Sequence, residues 1–348
     1  MPPPSKRSEF SEDLERSIAE LGRRLGAGKP LEPPLSAVVN GLALLSAADV
    51  SRAERSLVRI ASLYGFQRLH EPSFFSRWFG REKVGPHLLL QRTAGLEFIF
   101  LFHGSGYLRE AALKKIERTP PSAFYFAAIA YRLNDWVDEV RVAAKDCARR
   151  TFGKTDARDI ADAFVFLIDG VRSWQRWDAE SAILEGALGR PDVLPLLVER
   201  FKTGNAGPLG TILRLSMKRP WFDANLRALA TEARLPSVRA VALDALLGGR
   251  ATWNEGFEWQ WIDKSMGLRR RVTSIGSREI PHLDVEAFAA LLETGAKDRS
   301  PVVRKVAADH IIRNRQHPAR VGKALSILRS DSNAAVRTRI EFVDRQSA

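Results

Sequence analysis

Cysteine is nearly absent from this 348-residue sequence, with Cys147 the only one. A single thiol excludes an intrachain disulfide and a cysteine-built zinc cage, and it fits a reducing compartment. Its neighbours Ala143, Ala144 and Ala148 place it on the apolar side of a helix, where cysteine behaves as a small hydrophobe. The six histidines (His70, His87, His103, His282, His310 and His317) include no pair at helical ligand spacing with a supporting carboxylate. No serine or cysteine stands in a recognisable nucleophile setting. The expectation is a chain without metal, cofactor or catalytic residues, leaning away from an enzyme. Long apolar runs are also missing: Leu35 to Val50 is short and is interrupted by Asn40 and Asp49. The start carries Pro2, Pro3, Pro4, Lys6 and Arg7 in place of an apolar secretory segment. Cytoplasmic residence without membrane insertion is therefore expected.

Acidic residues fall short of basic ones, 41 against 54, for a formal charge of +13. Only 13 of the basic residues are lysines. The excess suits an anionic partner, but scattered arginine also serves structural ion pairs, and a clustered stripe is what separates the two. With 45% hydrophobic and 27% charged residues, there is enough apolar material for a substantial core.

What the sequence does have is a repeat. An aliphatic residue followed by arginine opens an alanine-rich apolar stretch at Leu108-Arg109, Val140-Arg141, Val238-Arg239, Val303-Arg304 and Val336-Arg337. Successive arginines lie 32, 98, 65 and 33 positions apart, close to one, three, two and one multiples of a unit near 33. Apolar residues at about −1, +2, +3, +4 and +7 from each arginine form the buried stripe of a helix. Leu108, Ala111, Ala112, Leu113 and Ile116 are one example. Six positions before the arginine stands Asp135, Asp298 or Asp331 in three copies, while His103 and Ala233 take that place in two others.

The pattern of aspartate, short turn, Val-Arg and alanine-rich helix resembles the HEAT-repeat family. It is seen in Asp135 to Arg141, Asp298 to Arg304 and Asp331 to Arg337. The resemblance implies an all-α fold, a right-handed α-α superhelix of helix pairs. It also implies an electrostatic ladder between repeats built from Arg109, Asp135, Arg141, Arg239, Asp298, Arg304, Asp331 and Arg337. It specifies architecture, not activity.

First helices are expected near 88–102, 122–134, 157–169, 191–203, 221–233, 284–296 and 318–329. Second helices are expected near 106–117, 137–150, 178–188, 208–218, 236–248, 300–314 and 334–345. Pro191, Pro208, Pro236 and Pro301 fall at or near helix starts. Residues 1–34 read as a flexible basic, proline-rich arm around a short charged helix, 35–87 as a helical cap and linker, and 88–348 as the repeat array. Within that array, 250–281 reads as one irregular repeat.

Two glycine motifs mislead. Gly104-Ser105-Gly106 lacks the third glycine of a dinucleotide loop, and the repeat phase puts a helix before it. Gly22 to Lys29 is followed by Pro30 where a phosphate loop needs serine or threonine.

The unusual segment is Trp253 to Lys264, followed by Arg269, Arg270 and Arg271. Trp253, Phe257 and Trp261 stand at i, i+4 and i+8, the spacing of one helix face, and read as the buried stripe of a degenerate repeat. Trp259 points elsewhere. Trp259, Lys264 and Arg269 to Arg271 are the preferred partner-contact residues, since rigid aromatics beside arginines anchor proteins or stacked bases.

The first functional expectation is a non-catalytic scaffold binding a protein partner by its concave face or this segment. The alternative is a nucleic-acid-binding solenoid. A minor enzymatic variant resembles the HEAT-like alkylpurine DNA glycosylases, whose functional residues do not map onto this chain. Whether Lys114, Lys145, Arg149, Arg150, Lys305 and Arg313 form a basic face, or Asp146, Asp244 and Asp309 interrupt it, separates the two readings.

Overall fold

The alanine-rich stripes that follow each aliphatic-arginine step bury one side and so form helices. The computed structural model, which describes residues 10–64, 85–171 and 181–347, is mainly helical with one small two-stranded antiparallel sheet. The chain divides into two units, Met1–Val193 and Leu194–Ala348. The part of the expected cap beyond residue 64, the start of the helix expected at 178, and His70 lie outside the described residues.

The first unit holds α1 (Glu12–Ala27), α2 (Pro34–Ala43), α3 (Val50–Ile60), α4 (Pro86–Arg92), α5 (Leu96–Phe100), α6 (Gly106–Lys115), α7 (Ala123–Arg132), α8 (Asp138–Thr151), α9 (Ala157–Val171) and α10 (Ser181–Leu188). The short charged helix expected within 1–34 is present as α1, and it is packed rather than carried on a flexible arm. Ser11 caps α1 by accepting from the Leu14 N–H, and Leu14, Ile18, Leu21 and Leu25 form a buried stripe on a helix packed against α2 and α3. The single helix expected over 88–102 is two, parted where Gly95 takes φ 89°. Phe98, Phe100, Phe102, Phe124, Tyr125, Phe126 and Phe152 are fully buried, and the Phe126 and Phe152 rings meet at 4.4 Å between centroids.

The second unit holds α11 (Leu194–Thr203), α12 (Leu209–Ser216), α13 (Leu226–Glu232), α14 (Pro236–Gly248), β1 (Arg250–Asp263), β2 (Leu268–Glu279), α15 (Val285–Ala296), α16 (Pro301–Arg313), α17 (Pro318–Leu328) and α18 (Ala334–Ser347). α14 packs against α12 and α16, and α16 against α18. Neighbours of this kind are compatible with a helical repeat.

The main departure from expectation lies at 250–281, which is no repeat. It is a β-hairpin inserted between two helix pairs. The 65 positions between Arg239 and Arg304 are therefore one repeat plus an insertion of nearly the same length. Arg239 on α14 reaches across the insertion to Asp298, before α16, donating from Nε at 2.7 Å and Nη2 at 2.8 Å.

The insertion leaves the stacking of its flanks in place, which leads to a prediction. Replacing residues 255–274 by an Asn-Gly turn keeps the Asn254↔Ile275 pair and should change the stability of this unit by no more than about 1 kcal/mol. Hydrogen exchange of α14 and α16 is the measurement. Loss of their protection would show the hairpin to be part of the core.

Candidate functional interface

Each repeat arginine is fixed twice. Its Nη1 donates to the carbonyl six residues back: Arg109 to His103 (2.9 Å), Arg141 to Asp135 (2.8 Å), Arg239 to Ala233 (2.6 Å), Arg304 to Asp298 (2.9 Å) and Arg337 to Asp331 (2.7 Å). In Arg109, Arg239 and Arg304 the rest of the fork grips a later aspartate, while Arg337 adds the Ser332 carbonyl. Arg109 holds Asp135 at 2.9 and 2.7 Å, and Arg304 holds Asp331 at 2.6 and 3.0 Å. Arg141 turns instead to Asp138 at 2.5 Å. Forks closed on this many acceptors retain little capacity for a ligand.

Asp135 lies deepest. Burial alone would raise its pKa, but hydrogen bonds from Arg109, the Arg132 charge and the Val137 N–H outweigh burial and hold it below its ordinary 3.8. Arg132, also buried, bridges Asp135 at 3.0 Å and Glu54 of α3. At Asp298 burial likewise pushes up, while Arg239 and the Ser300 N–H bring the pKa down.

The other cations of the helix faces are largely engaged too. Lys114 pairs with Glu110, Arg149 with Asp146, and Arg150 donates to the carbonyls of Leu113 and Ile116. Asp244 sits among His310, Arg214 and Arg313, and Asp309 takes Arg339. Acids thus stand among these cations, with Asp146, Asp244 and Asp309 each paired to a basic side chain.

The hairpin differs. α14 ends in Gly249, whose φ of 60° lets its N–H cap the Ala245 and Leu246 carbonyls and turns the chain directly into β1. At the base, Thr252 accepts from Arg214 at 3.0 Å. Arg278 holds Asp223 at 2.6 and 2.8 Å and the Met217 carbonyl at 2.7 Å. Trp253 is buried against Gly276. At the far end Asp263 Oδ1 accepts from the Ser265 and Met266 N–H groups, and Gly267 supplies the left-handed φ of 68° that closes the turn.

In between, the pairs Phe257↔Thr273, Trp259↔Arg271 and Trp261↔Arg269 put all six side chains on one face, because strand residues alternate. The i, i+4, i+8 reading of Trp253, Phe257 and Trp261 as a buried helical stripe is corrected here. Only Trp253 is buried, while Phe257, Trp259 and Trp261 are 47%, 51% and 51% exposed. The Arg269 guanidinium carbon lies 4.5 Å from the Trp259 ring centre, and that of Arg271 lies 3.5 Å from the Phe257 ring centre. These cross-strand cation–π contacts stiffen a hairpin that, among the described residues, has no third strand.

Of the expected contact residues, Trp259, Arg269 and Arg271 share this face. Arg270 lies on the opposite one, donating to Gln260 Oε1 at 2.9 and 2.6 Å, and Lys264 is in the turn. Phe257 and Trp261 join the face without having been expected there. The signal that could have found them is the alternation Phe257, Trp259, Trp261 at a period of two.

Among the described residues, no cluster of three or more His, Cys, Asp or Glu is placed to hold a metal. Burial pushes the Cys147 thiol up to about 11. No single helix among the described residues is long and apolar enough to cross a membrane. No family model and no curated protein matches the chain.

Proposed function

We propose that this chain is a non-catalytic scaffold, a right-handed HEAT-like solenoid of helix pairs in the cytoplasm that holds a macromolecular partner through its β-hairpin. The observation carrying this reading is the half-exposed row of Phe257, Trp259 and Trp261 beside Arg269 and Arg271. Exposed aromatics and arginines of restricted freedom are the residue types that dominate binding hot spots. The helix faces support the reading less, since their cations are largely engaged by carboxylates and carbonyls of the same chain.

The test is affinity capture with the wild type and with the W259A/W261A/R269A/R271A variant, each with and without nuclease treatment. Specific partners should fall by about tenfold or more in the variant, since hot-spot truncation costs about 2 kcal/mol or more. A loss that persists after nuclease treatment names a protein partner, and one seen only without it names nucleic acid. Identical captured sets for both chains would sink the hairpin as the contact surface.

A further inference from the structure

We propose that the Phe257/Trp259/Trp261 face of the hairpin is a binding platform for single-stranded nucleic acid; this deepens the hairpin reading and rests on it. The first support is the state of Arg269 and Arg271. Both guanidinium groups are laid over aromatic rings, yet among the described residues neither donates a hydrogen bond or forms an ion pair. Their neighbour Arg270, on the other face, is engaged by Gln260, and the repeat arginines are closed on aspartates and carbonyls. A fork held flat with its edge donors unengaged is preorganised for an anion, most of all for a phosphate that accepts two parallel N–H groups.

The second support is the charge of the face. Its six residues are three aromatics, two arginines and Thr273, with no carboxylate. The hairpin's acids are placed elsewhere: Glu258 is on the opposite face across from Val272, Glu255 accepts from Trp253 Nε1, Asp263 is closed on its own turn, and Glu279 stands at the base across from Arg250, six residues along β2 from Thr273. Within a chain of formal charge +13, this is a local surface complementary to a polyanion.

The third support is spacing. Residues two apart on a strand are separated by about 6.6–6.8 Å. Rings therefore recur along β1, and guanidinium groups along β2, at a step close to that of successive units in an extended single strand. Such a polymer offers one flat ring and one anion per unit, which is the alternation this face presents. Among the described residues no cation lies over the Trp261 ring, and the outer surfaces of the two arginines are themselves stacking planes. A duplex hides its base faces in its own stack and offers only its phosphates. A peptide has no regular alternation of ring and anion. A lipid surface would engage the exposed tip residues Ile262, Met266 and Leu268 rather than the length of the face.

The experiment titrates the full chain against labelled oligothymidylate, oligouridylate and a duplex of equal length, between about 50 and 200 mM salt. Anionic phosphatidylserine vesicles are run alongside. The single strands should bind more tightly than the duplex and quench tryptophan fluorescence. W259A and W261A should each weaken binding by about fivefold or more, the loss of one stacked base. R269A/R271A should lower the slope of log affinity against log salt by about 1.4, or about 0.7 per phosphate contact. R269K/R271K should keep the slope and lose affinity, and R270A should bind as wild type.

The chain with residues 255–274 replaced by Asn-Gly should not discriminate single strand from duplex. Absent oligonucleotide binding, or binding that the face variants leave unchanged, overturns the proposal, as does binding to vesicles alone. If nuclease-resistant partners are still lost in the capture variant, the hairpin remains a contact surface and only the nucleic-acid assignment falls.

Discussion

Asp135→Ala is expected to destabilise the first unit by about 3–5 kcal/mol, the loss that follows when one partner of a buried ion pair is removed. The side chain is fully buried and answers two buried guanidinium groups, Arg109 and Arg132, as well as the Val137 N–H at 3.1 Å. Without it Arg132 keeps Glu54, and Arg109 keeps the carbonyls of His103 and Gly104. The balance of two positive and two negative charges becomes two against one. Asp331→Ala should cost less, because its partner Arg304 is more exposed than Arg109. Asp138→Ala, at an exposed pair, should cost under about 1 kcal/mol. Hydrogen exchange across 106–151 reports the unit directly, and urea unfolding supplies the magnitude. Arg109→Met combined with Asp135→Ala should lose less than the sum of the two single changes, since it removes one of the stranded charges. Strict additivity would show that the two side chains are held independently of each other.

The same geometry explains which parts of the fold could be read in advance. The aliphatic-arginine step recurs where each arginine reaches the carbonyl six residues back, and in Arg109, Arg239 and Arg304 a later aspartate as well. Helices placed by that phase, such as α6, α8, α14, α16 and α18, fall within a few residues of expectation. The insertion escaped for an arithmetical reason and a geometric one. Its length nearly equals the repeat, so the spacing from Arg239 to Arg304 looked like two units. Trp253, Phe257 and Trp261 satisfy helical spacing, yet Phe257, Trp259 and Trp261 lie on every second position of a strand, and the bulge between Asn254 and Gly256 turns Trp253 to the other face. The β-branched residues Val272, Thr273 and Ile275 and the glycines at 256 and 267 are the local evidence for a hairpin. The short charged helix expected within 1–34 is α1, and its apolar stripe at Leu14, Ile18, Leu21 and Leu25 is the signal that it packs rather than hangs free. Of the contact residues, aromatic-arginine composition sufficed to single out Trp259 and the arginines. Assigning Arg269 and Arg271 to one face and Arg270 to the other required the register.

His103 occupies the ladder position that aspartate fills in three other repeats, and it imitates part of the aspartate's work. Its Nδ1 accepts the Ser105 N–H at 2.9 Å, as Asp135 Oδ1 accepts from Val137 and Asp298 Oδ1 from Ser300. The bond keeps the imidazole neutral with its proton on Nε2, and burial, followed by the Arg109 charge, lowers the pKa from 6.5 to about 4. In the unfolded chain the same side chain takes up a proton near 6.5. Below that pH the unfolded state binds a proton that the folded state refuses, so stability falls with pH until the folded group titrates near 4. Over that interval the loss is about 1.4 kcal/mol per pH unit, roughly 3 kcal/mol in all. Asp135 acts later and by the opposite chemistry. Its lowered pKa contributes stability that is present above 3.8 and lost as pH falls through the folded value. The first unit should therefore lose stability in two stages, His103 before Asp135. His103→Asn retains an acceptor for the Ser105 N–H and has no titrating group, so its stability should be nearly flat from pH 6.5 to about 4 and should fall only in the carboxylate range. Urea midpoints of the two chains across that interval decide the matter, and equal slopes would remove His103 as the group that titrates.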